Sequence, residues 1–260
     1  MSLKGDLNHN GLILEAIQEI LRLERSWNFA LRTQDVFPKL EALSKSCKDV
    51  VDGIVNSHER LSCLLDHIYE NLLFSGTCQS VPESQLNALS FVIHYRTGNE
   101  LSLGLVVGYL LEASGIDCEF VAYQDSLLLL VTIDGEGGYL IEPTSGQQSW
   151  FATEHQPDPS EFEEFDLEHL ISMHTSRQKM EFIEENNYTS AYCCVSSLIA
   201  KRPDDPYQRR DRGFILEQLD CAHLATEDFN FFVEQCPDDP VVDIVKMQLD
   251  ELSTVPHTYH

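Results

Sequence analysis

Residues 101–111, LSLGLVVGYLL, are apolar on every face that a helix could present. A surface helix shows one apolar stripe, whereas a helix without a polar side must be wrapped by other elements. This run therefore sets the problem that the surrounding chain has to solve. It is too short to cross a bilayer. Before it lies a tight turn, HYRTGNE, in which Asn99 is a natural N-cap and Glu100 an acid favoured by the helix dipole. Gly115 is placed as the C-terminal cap.

The wrapping material is legible on both sides. Upstream, Leu12, Ala16, Ile17, Ile20 and Leu21 form one helical stripe, and residues 37–55 and 60–73 repeat the pattern. FSGTCQSVPESQ reads as a loop, and residues 85–95 read as a further helix. Downstream the period changes. CEFVAY, LLLLVTID and GYLIEPT read as three strands, and DGEGG between the last two predicts a hairpin.

Beyond residue 172 the pattern is helical again, and it repeats. RPDDP at 202–206 and CPDDP at 236–240 place Pro203 and Pro237 at an offset of 34, and Ala191 and Ala225 share that offset. This is the period of the tetratricopeptide (TPR) helix pair. Each Ala falls where two antiparallel helices approach closely. Val195 and Phe229 take the next large apolar position, and Gly213 fits the small position of a first helix. The expected organisation is a helical and sheet-containing domain over 1–156, an acidic connector over 157–171 and TPR-like repeats over 172–260.

The net charge of −26 disfavours nucleic acid and anionic membrane surfaces as partners. The N-terminus lacks the apolar region of a signal peptide. Eight scattered cysteines without a CxxC pair suit a reducing compartment, so a cytoplasmic location is expected. His169 and His174, the closest approach to metal spacing, are five residues apart and do not share a helical face. No metal and no cofactor are expected.

The run from Leu72 to Phe120 resembles the core of the bacterial SirB-type proteins, in which a transglutaminase-like domain precedes TPR-like helices. Asn87, Leu89, Arg96, Gly98, Leu101, Ser102, Leu103, Leu110 and Gly115 carry the likeness. YLIEPTSG and the Arg210-Asp211-Arg212-Gly213 run extend it. The resemblance implies an α+β, mostly helical chain: a degenerate transglutaminase-like (papain-like) domain with a small antiparallel sheet, then TPR-like repeats.

A working site of that superfamily needs a Cys at the start of the central helix, a His on a neighbouring strand and an orienting Asp on the next. The corresponding positions here are Glu100, Asp125-Ser126 and Glu142. Nucleophile and base are both missing, and no His lies between His94 and His155 to replace the base. Asn99, Glu100, Asp125, Ser126 and Glu142 remain a candidate pocket. The resulting expectation is a non-catalytic interaction or regulatory module, and the family label implies a role in regulating invasion or virulence genes. Two alternatives stay open: a residual hydrolase or acyl transferase, and a small-ligand or metal sensor. The expected partner is a protein, through a basic segment drawn to acidic residues in 158–170 and to Asp204, Asp205, Glu227, Asp228, Asp238 and Asp239.

Overall fold

The computed structural model describes residues 12–76, 80–124, 126–133, 135–153 and 163–254. It divides into two compact units, Met1–His174 and Thr175–His260. In the first, α1 (Leu12–Glu24), α2 (Thr33–Val51) and α3 (Ser57–Asp66), the last running into a π-helical turn at His67–Asn71, bury most of the stripes read from their sequences, with Val50 of the second left exposed. The helix expected over 85–95 is instead two, α4 (Glu83–Asn87) and α5 (Leu89–Tyr95), with Ala88 extended between them. The break has a tertiary cause. The Asn87 carbonyl, which a continuous helix would keep for itself, accepts from His174 Nε2 at 2.7 Å.

The central helix α6 (Glu100–Ala113) has every residue from Leu101 to Gly108 buried. Each fully buried Leu or Val in it contributes about 1.5–3 kcal/mol relative to exposure. Its wrapping comes from α1, α2 and α5 on one side and the sheet on the other. A capping box closes its start: Ser102 N–H donates to Asn99 Oδ1 at 2.9 Å, and Asn99 N–H donates to Ser102 Oγ at 3.1 Å. Ser114 ends the helix, and Gly115 follows in the left-handed region at φ +75°.

The sheet comprises β1 (Glu119–Tyr123), β2 (Ser126–Ile133), β3 (Gly137–Ile141), β4 (Gln148–Ala152) and β5 (Glu163–Glu164), in the order β4-β3-β2-β1-β5, antiparallel throughout. Leu129 pairs with Phe120 on one side and Ile141 on the other, and all three are buried. The first three strands match the three apolar runs. The edge strands β4 and β5 were not expected.

Glu112 is the acid that α6 tolerates least. Burial, then the negative charge of Asp117, pushes its carboxyl up from 4.5 to about 7. A raised folded-state value means that the folded chain holds a proton the unfolded chain has released. Stability therefore falls as pH rises between about 4.5 and about 7. The side chain is about half buried, and solvent screening limits the effect to about 1–2 kcal/mol. Glu112→Gln is expected to flatten this part of the stability curve in urea titrations. Identical pH slopes for the two proteins would refute the assignment.

The second unit holds most of α7 (Leu167–Glu184) and all of α8 (Tyr188–Lys201), α9 (Pro206–Gln218), α10 (Ala222–Gln235) and α11 (Val242–Thr254). Successive helices pack from α8 to α11. Ala191 and Ala225 are fully buried, as are Val195 and Phe229, while Pro203 and Pro237 lie in exposed turns. Pro206 opens α9 behind Asp205, whose carboxylate accepts from Tyr207 N–H at 3.0 Å and Gln208 N–H at 3.1 Å. The position equivalent to Gly213 in the preceding repeat is Lys179. It is buried, and its ammonium donates to Asp211 Oδ2 at 2.5 Å and Gln208 Oε1 at 3.0 Å.

Candidate functional site

At the mouth of α6 the polar side chains serve the fold. Asn99 Nδ2 donates to Asn87 Oδ1 at 2.9 Å, and Asn87 Nδ2 donates to the His174 carbonyl at 3.2 Å. Ser102 Oγ donates to the Leu86 carbonyl at 2.6 Å. Asn87, Ser102 and His174 are essentially inaccessible to solvent. Gly98 is needed here for space: a Cβ on it would lie 2.6 Å from Ser102 Oγ and 2.7 Å from Val92. The turn, the split between α4 and α5 and the start of α6 thus form one hydrogen-bonded knot. In sequence, Asn87, Gly98 and Ser102 carried only the family likeness. The role of His174 in this knot had no local signal, because its partner lies 87 residues away.

Glu100 occupies the first turn of α6, half-buried. One turn further on, Gly104 lies against Pro143 and the Phe120 ring, so the start of α6 is directed towards the end of β3. Glu142 follows β3 there. It is exposed, and its two oxygens accept from Thr144 Oγ1 and Ser145 Oγ, each at 2.9 Å, within its own loop. Ser126 is exposed and pairs in register with Tyr123 at the end of the β1–β2 hairpin. Asp125 lies outside the described residues. Two backbone bonds tie the region together: Ser75 N–H donates to the Arg96 carbonyl at 2.9 Å, and Gly76 N–H to the Thr144 carbonyl at 2.8 Å. Tyr69 donates to the Pro143 carbonyl at 2.9 Å, and burial, then the Glu142 charge, raises its phenol above the ordinary range.

Among the described residues, the thiol that lies against α6, Cys118, is not set up as a nucleophile. Cys118 donates to the Gly108 carbonyl, and burial, followed by the charges of Glu112, Asp117 and Glu119, raises it well above its ordinary value. A reactive cysteine needs the opposite shift. Among the described residues, no group of three or more His, Cys, Asp or Glu side chains is placed to hold a metal ion. Cavities among the described residues lie elsewhere in this unit. One of about 580 Å³ runs along α1, α2 and α5, with Glu24 in its wall. Burial raises the Glu24 carboxyl, opposed by hydrogen bonds from Ser90 N–H and Ser90 Oγ. Another, of about 370 Å³, lies at the far end of α6.

In the second unit the arginine-rich run is neutralised internally. Arg212 grips Asp228 with Nε at 2.5 Å and Nη2 at 2.7 Å, Arg209 adds Nη1 at 3.3 Å, and Arg210 bonds Asp211. Two corrections to the expected acidic surface follow. Asp228 is 1% exposed and belongs to the interior. Asp205 and Asp239 are occupied at helix starts, Asp239 accepting from Val241 N–H at 2.9 Å. Asp204, Glu227 and Asp238 remain exposed.

This architecture, an apolar helix laid on an antiparallel sheet and followed by paired helices of 34-residue period, defines a transglutaminase-like domain with TPR repeats. Family comparison agrees: the transglutaminase-like superfamily matches residues 34–157, and the tetratricopeptide repeat matches residues 166–250. The chain belongs to the SirB1/UPF0162 family. It is 31% identical to a UPF0162 protein of Pasteurella multocida, covering 82% of this chain and 84% of that one. It is 28% identical to Protein SirB1 of Salmonella typhimurium, covering 94% and 92%, and 27% identical to a UPF0162 protein of Vibrio cholerae, covering 92% and 93%. No solved structure gives a significant match. No helix among the described residues is long and apolar enough to cross a membrane.

Proposed function

We propose that this protein is a non-catalytic member of the transglutaminase-like superfamily that acts as a regulatory protein-interaction module, binding its partner through the TPR helices. The observation that carries the reading is the knot at the α6 mouth. Glu100 stands at the nucleophile position, and the neighbouring Asn99, Ser102 and Asn87 are committed to capping and to one another. A carboxylate there has no aligned His to activate it, and Ser126 and Glu142 at the other aligned positions are exposed on hairpin and loop ends. The domain assignment over 1–156, 157–171 and 172–260 is part of this proposal. So is a partner of basic character, met by Asp204, Glu227 and Asp238, whose attraction is screened within about 8–10 Å at physiological salt.

The full chain is tested twice. With acyl donors and a thiol-reactive activity probe, neither turnover nor specific labelling is expected. Turnover that disappears in Glu100→Gln would overturn the non-catalytic reading. Against matched lysine-rich and glutamate-rich peptides, only the basic set should bind. Its association should slow with salt and weaken in the double variant Asp204→Lys, Asp238→Lys. Binding that ignores both salt and these substitutions would remove the TPR surface from the proposal.

A further inference from the structure

The far end of α6 carries a second feature, unrelated to the degenerate triad. The cavity of about 370 Å³ there is formed by four segments: the end of α2 with Lys48, the α2–α3 turn with Asp52 and Gly53, Arg60 of α3, and the α6 terminus at Ser114 and Gly115. Ser114 is 2% exposed, and its hydroxyl has no hydrogen-bond partner among the described residues. Arg60 Nε is likewise buried and without a partner among them. Buried polar atoms are nearly always satisfied, and leaving a hydroxyl and a guanidinium N–H unpaired is costly. Both atoms belong to residues lining the same cavity, and both can donate.

We propose that this cavity binds a small molecule carrying one oxyanion group, a carboxylate or a phosphate, with a hydrogen-bond donor beside it. Arg60 and Lys48 supply two positive charges in a chain whose net charge is −26, and Asp52 leaves the lining with one in excess. That balance suits a singly charged head better than a polyanion, and Asp52 accepts from a neighbouring hydroxyl or ammonium. Arg60 already donates through Nη2 to the Ser114 carbonyl, which anchors the guanidinium at the cavity wall. Binding would require Nε–H and the Ser114 hydroxyl, both unpartnered among the described residues, to turn to the lumen and meet the oxyanion as charge-assisted donors. The carbonyl end of a helix normally repels anions. Here the last turn is largely masked: Ser114 N–H donates to Leu110, Ile116 N–H to Leu111 and Gly115 N–H to Glu112 carbonyls. The volume lies in the range of small-ligand sites.

The test uses the full chain and two probes, inorganic phosphate and lactate, titrated at constant ionic strength against chloride. Lactate carries a carboxylate beside a hydroxyl. The readout is the Arg60 Nε–H signal in nitrogen–proton spectra, assigned by its loss in Arg60→Lys. A saturable shift with either probe is expected, and the responding probe separates phosphate from carboxylate ligands. Ser114→Ala and Lys48→Ala should each weaken binding, and Arg60→Lys, followed through the backbone amide signals of Ser114 and Gly115, should reduce affinity about tenfold through loss of the forked donor. Lys48 is exposed, so its substitution leaves folding intact and keeps the test decisive even if the Arg60 variant is destabilised. An Arg60 signal that moves with neither probe, or affinities unchanged in both Ser114→Ala and Lys48→Ala, would overturn the proposal.

Discussion

Asp228→Ala is expected to destabilise the C-terminal helices by about 3 kcal/mol. The carboxylate sits on α10, 1% exposed, and is the point at which α9 is clamped to α10 by Arg212 and Arg209. Deleting one partner of a buried ion pair costs about 3–5 kcal/mol, mainly because the other charge is left uncompensated. The arginine side chains are 22% and 27% exposed, so they keep some water, and the lower end of that range applies. Hydrogen exchange of α9 and α10 amides in the full chain is the direct measurement, since it reports this unit separately from the first. Asp228→Asn, which keeps the shape and one acceptor, should fall between wild type and Ala. A loss below about 1 kcal/mol in Asp228→Ala would show that the clamp does not hold the two helices together.

The second large effect is steric. Gly213→Val is expected to cost about 3 kcal/mol in the same unit. A Cβ at this position would lie 2.5 Å from Phe229 Cε1 and 2.6 Å from Cδ1, and Phe229 is fully buried, with no space to retreat. Replacing Gly with a better helix former returns at most about 1 kcal/mol, and the β-branch of Val forfeits part of that. Overpacking therefore wins. Adding Phe229→Leu, which removes ring atoms at the point of collision, should recover part of the stability, a coupling that a double-mutant cycle measures. Strict additivity of the two substitutions would mean that the close approach is not what the glycine is for.

Both sites bear on how much of this protein could be read before its structure. The small, large and proline positions of the repeat were visible because helix pairing demands them at a fixed spacing, and Ala191, Ala225, Val195 and Phe229 are fully buried. The charges were not legible in the same way. Asp228 read as part of an acidic surface. Pairing with Arg212 and Arg209 across helices turned it into an interior contact, with Lys179 held by Asp211 in the same manner. Composition reports how many charges there are, and only three-dimensional neighbours decide which of them face water.

The same division holds in the first unit. That residues 101–111 must be enclosed, and that helices precede them and strands follow, were consequences of local pattern. Periodicity acts over a few residues, so it survives without coordinates. The break at Ala88, the edge strands β4 and β5, the knot of Asn87, Asn99, Ser102 and His174, and the cavity between Arg60 and Ser114 came only with the tertiary structure. Apart from β4, which pairs with the neighbouring β3, these features depend on partners far apart in the chain, and neither propensity nor period records a hydrogen bond accepted from a residue 87 positions away.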